Sequence, residues 1–184
     1  IAYIPGDRQR YGLVMTYPIE DNLVLTEYHH APFSRYGVID ERAITRRAAE
    51  LIPAFDIRTP SGAVSTSTLS GGNQQKVIVA REFSRDLALL IADQPTRGID
   101  VGSIEFIHRQ IVAKRDAGTA VLLVSAELDE VLELSDRIGI MYRGRLVAVV
   151  DGATAEKDRI GLIMATGHAE PALAGVTSGT GVEA

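Results

Sequence analysis

Apolar and polar positions change their period several times along this chain, and each change marks an element. Ile1 to Ile4 is a short apolar run that reads as a strand. Gly6 to Tyr17 reads as a loop, and a helix is expected to begin within Pro18 to Thr26. Ile44, Ala48, Leu51, Ile52 and Phe55 recur at helical spacing behind Asp40, a natural N-cap, which predicts a helix to about Phe55. Thr59 to Thr68 is rich in Ser, Thr and Gly and reads as a loop. Ser70 then opens a helix whose apolar face is Val77, Ile78, Ala80 and Phe83. Leu87 to Ala92 is a continuous apolar run, as in a central parallel strand. A helix capped by Ser103 carries Ile104, Ile107, Ile111 and Val112. Ala120 to Val150 parses as a strand, a short amphipathic helix and two strands around an Arg143-Gly144 turn. This alternation after residue 86 predicts an α/β fold with a parallel sheet, and about 17–85 reads as mainly helical. Beyond Thr166, Gly, Ala, Ser and Thr dominate, so 167–184 is expected to be a disordered tail. No internal repeat is visible.

Composition narrows the function classes. The 184 residues suffice for one domain with a sizeable core. Net charge is −5 with acids and bases interspersed, so no basic stripe points to nucleic acid. The absence of cysteine fits a reducing compartment without requiring one. No apolar run approaches the about 20 residues that span a bilayer, and the N-terminal residues do not resemble a signal peptide. His29, His30, His108 and His168 have no spacing that suggests a metal site, and read as surface or helix-face residues.

Two segments carry the candidate chemistry. Leu69 to Arg81 reads LSGGNQQKVIVAR, a Ser-Gly-Gly turn that opens directly into a helix. Bare backbone amides at a helix N-terminus bind phosphate oxygens. Gly71 and Gly72 let a phosphate approach the backbone, Ser70 adds a hydroxyl, Asn73, Gln74 and Gln75 keep the first turn polar and uncharged, and Lys76 adds a cation one turn in. Leu89 to Asp100 reads LLIADQPTRGID, a buried strand ending in Asp93, then a loop ending in Asp100. An acid at the C-terminal end of such a strand is where α/β nucleotide-binding folds hold Mg²⁺. Taken alone, the first segment reads better as a Gly-rich turn capping a core helix, and the second suits a solvated strand-end acid equally well. In this order and this close, the two resemble the signature motif and Walker B segment of ABC-type ATPases.

The resemblance extends over roughly Ile1 to Ala165 and assigns roles position by position. Ser70, Gly71, Gly72, Asn73, Gln74 and Asp100 fall at ATP-binding positions, Asp100 in the D-loop. Asp93 falls where the family holds Mg²⁺ through water. Gln94 stands where the family usually has the general-base Glu, and losing such a base typically costs about 10²–10⁴-fold in rate. Ala126 stands at the switch-histidine position, and a methyl group cannot donate a hydrogen bond to phosphate. Gly6, in the segment AYIPGDRQ, stands at the Q-loop position, where sugar-type importers have an acid. No G-x-x-x-x-G-K-[ST] run occurs in the sequence. The chain is therefore expected to be the C-terminal part of a longer polypeptide, with Walker A upstream, and to be inactive by itself. The motifs NQQK, PTRGID and SDRI resemble the simple-sugar importer branch, and DQPTRG followed by SAELDE resembles the second nucleotide-binding domain of its nucleoside-type members.

What the resemblance implies is an incomplete P-loop NTPase, ABC-type ATPase domain over 1–166, with a helical signature subdomain at about 17–85 and a RecA-like part at 86–166. ATP and Mg²⁺ are the implied cofactors. The implied partners are transmembrane permease subunits, a second ATP-binding domain and a periplasmic or lipoprotein substrate-binding protein, with no nucleic acid, at the cytoplasmic face of the membrane. Residues Gly6 to Tyr28, with Arg8, Arg10, Tyr11, Tyr17 and Tyr28, are expected to meet the permease. A carboxylate at Gly72 is expected to repel the phosphate. Two other classes stay open: a nucleotide-sensing pseudo-ATPase module, favoured by Gly6, Gln94 and Ala126, and a soluble ABC-type ATPase acting outside transport.

Overall fold

The strand-like run at the start of the chain and the run ending in Asp93 pair with each other. In the computed structural model, which describes residues 1–168, β1 (Ala2–Ile4) leads into a helical turn (Arg8–Gly12) and α1 (Ile19–Leu23). A small hairpin of β2 (Ser34–Arg35) and β3 (Val38–Ile39) precedes α2 (Glu41–Ala54) and α3 (Gly71–Phe83). Then come β4 (Leu89–Asp93), α4 (Val101–Asp116) and β5 (Ala120–Val124). β4 is the middle strand of a parallel sheet of order β1-β4-β5, with Tyr3, Ile91 and Leu122 in register across it. Alternate residues face opposite sides. Ala2, Ile4, Leu90 and Ala92 are fully buried on one side, while Tyr3, Leu122 and Val124 on the other are exposed. All of this lies in one compact unit, Ile1–Val124.

α3 is the spine of that unit. It packs against α1, α2, α4 and β1, so it is buried at every position from Gln74 to Phe83, not only along the apolar face expected from its spacing. Its buried charged residues, Lys76, Arg81 and Glu82, are each paired. Arg81 Nε bonds Glu82 Oε1 at 2.9 Å, Arg81 Nη1 donates to Gly12 O at 2.9 Å, and Arg85 Nη2 donates to Glu82 Oε2 at 2.5 Å. Buried charges need such partners.

The second unit, Ser125–Ala184, is described to residue 168. It holds α5 (Leu128–Leu134), an antiparallel hairpin of β6 (Arg137–Tyr142) and β7 (Arg145–Asp151), and α6 (Lys157–Thr166). Ile138, Ile140, Ala148, Ile160 and Ile163 form its core. The tail expected over 167–184 lies, apart from Gly167 and His168, outside the described residues.

Three expected element limits are corrected. The helix after the β4 loop is capped by Asp100, not by Ser103. Asp100 Oδ1 accepts from Ser103 N at 3.0 Å and Oδ2 accepts from Ser103 Oγ at 2.8 Å, so the cap sits three residues earlier. The Gly6–Tyr17 loop contains the Arg8–Gly12 turn because Asp7 Oδ1 accepts from Gln9 N and Arg10 N. The helix sought within Pro18–Thr26 is only Ile19–Leu23. Fully buried Asn22 fixes it by accepting from Val14 N and donating to Val14 O, Pro18 O and Thr66 Oγ1.

Candidate functional site

The Ser-Gly-Gly turn forms the start of α3 as its sequence requires. Ser70 is the N-cap, with Oγ accepting from Asn73 N at 3.4 Å and from Asn73 Nδ2 at 3.0 Å. Both bonds use the oxygen as acceptor, so the hydroxyl proton stays available to donate outward from an exposed position. Asn73 also ties in the preceding loop, since its Oδ1 accepts from Arg58 N at 2.9 Å. Gln74 turns inward: it is 3% exposed, its Nε2 donates to Leu69 O at 3.0 Å and its Oε1 accepts from Gln9 Nε2 at 3.3 Å. Lys76 does not supply a free cation. Its Nζ donates to Asp56 O at 2.9 Å and to Asp56 Oδ2 at 2.6 Å, and lies 4.8 Å from the Phe106 ring centroid. Lys76 holds the Asp56 carboxyl below its usual range, first by this hydrogen bond and then by its charge.

The loop after β4 packs directly on that helix start. A Cβ placed on Gly72 would collide with Ser103 Oγ and would stand 2.6 Å from Asp100 Oδ2. A Cβ on Gly71 would stand 2.7 Å from Arg8 Nη2 and 3.3 Å from Gly98 O. The second glycine is therefore required by the approach of α4, whatever binds outside. This corrects the expectation for Gly72: any side chain there breaks internal packing before it meets a phosphate. The Asp100 carboxyl is held below its usual range by the Ser103 hydroxyl and then the Ser103 amide. It serves α4 as a cap while lying beside the start of α3.

Asp93 ends β4 half-buried, and Gly6 lies against it: a Cβ on Gly6 would stand 3.0 Å from Asp93 Oδ2. The absence of a side chain at position 6 leaves one face of the carboxylate open. Among the described residues no group of three or more metal-ligating side chains gathers. A single open carboxylate suits Mg²⁺ all the same, because that ion keeps several waters and takes its other ligands from phosphate. Gln94 follows with a φ of 48°, a left-handed conformation that costs about 1 kcal/mol or more outside glycine and clusters at functional sites. Its N–H donates to Val124 O at 2.7 Å and its C=O accepts from Arg97 N at 3.1 Å, which holds the strained turn.

The structure thus brings together Ser70, Gly71, Gly72, Asn73 and Asp100, and separately Gly6 and Asp93 beside Gln94. Ala126 lies exposed in the other unit, in the short link before α5. Arg8, expected to face the permease, reaches the loop after β4. Its Nη1 donates to Arg97 O at 2.8 Å and its Nη2 to Gly98 O at 3.4 Å. Asp7, a capping residue followed by polar positions, was the sequence signal for the turn that carries it. Asn22 gave no such signal. Tyr11, Tyr17 and Tyr28 are exposed.

A parallel sheet whose middle strand ends in an acid, with a Ser-Gly-Gly helix start packed on the following loop, defines an ABC-type ATPase cassette. In the dimeric structure of MJ0796, a bacterial ABC transporter cassette, the same fold recurs with a TM-score of 0.65 at 22% identity, over 82% of this chain and 62% of that one. No family model matches the chain. The guanosine import ATP-binding protein NupO of Bacillus subtilis is 47% identical over 165 residues, 90% of this chain and 32% of the relative. The nucleoside import ATP-binding protein NupA of Lactococcus lactis is 45% identical over 168 residues, 91% of this chain and 33% of the relative. Ribose and xylose import ATP-binding proteins are also similar. Over about nine-tenths of its length the chain is thus similar to ATP-binding proteins of nucleoside and sugar import, and it spans about a third of the length of these curated relatives.

Proposed function

We propose that this chain is the C-terminal part of the second nucleotide-binding domain of an importer for simple sugars or nucleosides, with residues 17–85 as its helical signature subdomain and 86–166 as its RecA-like part. The observation that carries this reading is the start of α3, where Ser70 and Gly71 stay reachable while Gly72 is locked onto Asp100 and Ser103. The likeness to NupO, a guanosine import ATP-binding protein, supports a nucleoside as the cargo class. No helix among the described residues is long and apolar enough to cross a membrane. In this reading permease subunits supply the transmembrane path. A substrate-binding protein would deliver the cargo, and the ATP-binding protein would lie against the cytoplasmic face of the membrane.

In this reading the ATP sites are shared between two domains. Ser70 donates its hydroxyl proton, and the first amides of α3 aim at the γ-phosphate of a nucleotide held by the partner domain. Preorganised donors of this kind stabilise charge that develops during phosphoryl transfer. Toward this domain's own nucleotide, Asp93 would hold Mg²⁺ through water. Mg²⁺ supplies neutralisation of the phosphate oxygens. Gln94 can orient a water but cannot take its proton, and Ala126 offers no hydrogen bond to phosphate. This domain therefore contributes donors to a productive site across the interface and keeps a weakly hydrolysing site of its own.

Steady-state ATPase rates of the full-length protein with its permease test the asymmetry. Ser70→Ala is expected to lower turnover by about 10²-fold, as for loss of one preorganised donor. Gln94→Ala is expected to lower it by less than about tenfold, because an absent general base cannot be lost again. If Gln94→Ala is as damaging as Ser70→Ala, Gln94 takes part in the chemistry and the two sites are not unequal in this way.

A further inference from the structure

The guanidinium of Arg8 joins three segments that are far apart in sequence. It is carried by the Arg8–Gly12 turn, which Asp7 caps through Gln9 N at 3.2 Å and Arg10 N at 3.0 Å. Nη1 and Nη2 donate to the consecutive carbonyls of Arg97 and Gly98, and Nη2 lies against the bare backbone of Gly71. A second tie runs alongside, where Gln9 Nε2 donates to Gln74 Oε1. Arg8 Nε is buried with no hydrogen-bond partner among the described residues. Burying that nitrogen unpaired is unfavourable, so the fork is held here by its two carbonyl bonds in spite of that cost. A planar fork can hold two carbonyls in fixed relation in a way that an ammonium cannot.

We propose that Arg8 is a positioning residue for the composite nucleotide site, an inference that rests on the shared-site reading above. The side chain fixes the backbone at 97–98 relative to the first turn of α3. These are the loop before Asp100 and the helix start that presents Ser70 and the signature amides. Glycine at position 71 is part of the same device, because a Cβ there would displace the guanidinium from the Gly98 carbonyl. Loss of the clasp leaves every phosphate-binding group present but loosely placed. Misplacement on the scale of an ångström is enough to cost about 10²-fold in rate.

The experiment uses the full-length protein assembled with its permease. Arg8→Gln is expected to lower kcat by about 10–100-fold while KM for ATP stays within about threefold. Arg8→Lys, which can reach one carbonyl but not hold both, is expected to recover part of the loss. Amide hydrogen exchange supplies a readout independent of turnover: Arg8→Gln is expected to speed exchange at 97–100 and 71–74 and to leave β4 and α6 unchanged. A general loss of protection in place of this local one means that Arg8 acts only on stability and overturns the inference. Full turnover in Arg8→Gln, beside a strong loss in Ser70→Ala, overturns the inference alone. A wild-type complex that hydrolyses no ATP overturns the shared-site reading and the role of Arg8 in it.

Discussion

Lys76 carries a charge into the interior at 5% exposure, and the carboxylate that pairs with it comes from Asp56, twenty residues earlier. The hydrogen bond and charge of Lys76 lower the Asp56 pKa, so the folded state binds a proton there less readily than the unfolded chain does. The stabilisation from this pair is complete above the ordinary aspartate range and is lost as pH falls through the lower folded value. Asp56→Asn is therefore expected to lower the urea midpoint at pH 7, and its difference from wild type is expected to close progressively below about pH 4. Equal differences at pH 7 and pH 3 would show that the backbone at Asp56, not its charge, carries the effect. Single residues differ in how legible they are for a physical reason. Ser70 and Asp93 could be read because their roles depend on neighbours in the chain, a cap and a strand end. Lys76 and Arg8 could not, because their partners were fixed only when distant loops packed.

At the scale of elements, legibility followed the period of the pattern. α2, with its Asp40 cap and evenly spaced apolar residues, lies within one residue of its expected limits. α3 was located correctly, but its surroundings were not, because a helix buried on all sides has no polar face to read. Its buried end instead holds Arg81 and Glu82, with half-buried Arg85 just beyond it, and both arginines pair with Glu82. Removing one partner of a buried charge pair leaves the other uncompensated, at a cost of about 3–5 kcal/mol. Glu82→Gln keeps the shape and can still accept hydrogen bonds, so its expected cost is at the lower end, about 3 kcal/mol in urea denaturation at pH 7. A change under about 0.5 kcal/mol, the usual size for a surface substitution, would mean that the carbonyls of Gly12 and Asn22 alone satisfy Arg81.

For the whole molecule the decisive feature is the uncovered side of the parallel sheet. The alternation that buries Ala2, Ile4, Leu90 and Ala92 sends Tyr3, Leu122 and Val124 to the opposite face, where they are 48%, 53% and 46% exposed. Among the described residues β1 and β5 each pair only with β4, so both margins of the sheet carry unpaired backbone groups. The parallel sheet was legible in the sequence because a buried apolar strand ending in an acid is distinctive. The β2-β3 hairpin was not, because strands of two residues show no period. Open edges and apolar faces drive association between chains. These 184 residues, expressed alone, are expected to self-associate in a concentration-dependent way in sedimentation and to bind a hydrophobic dye. Leu122→Thr with Val124→Thr keeps the preference for strand while removing apolar surface, and is expected to weaken both signals. ATP binding in calorimetry is expected to be negligible for either version, because in the proposed reading the start of α3 meets a nucleotide that another domain presents, and the sequence has no G-x-x-x-x-G-K-[ST] run. A dye-silent monomer with micromolar affinity for ATP would contradict both halves of this argument at once, since it requires a covered sheet and a complete site within the same chain.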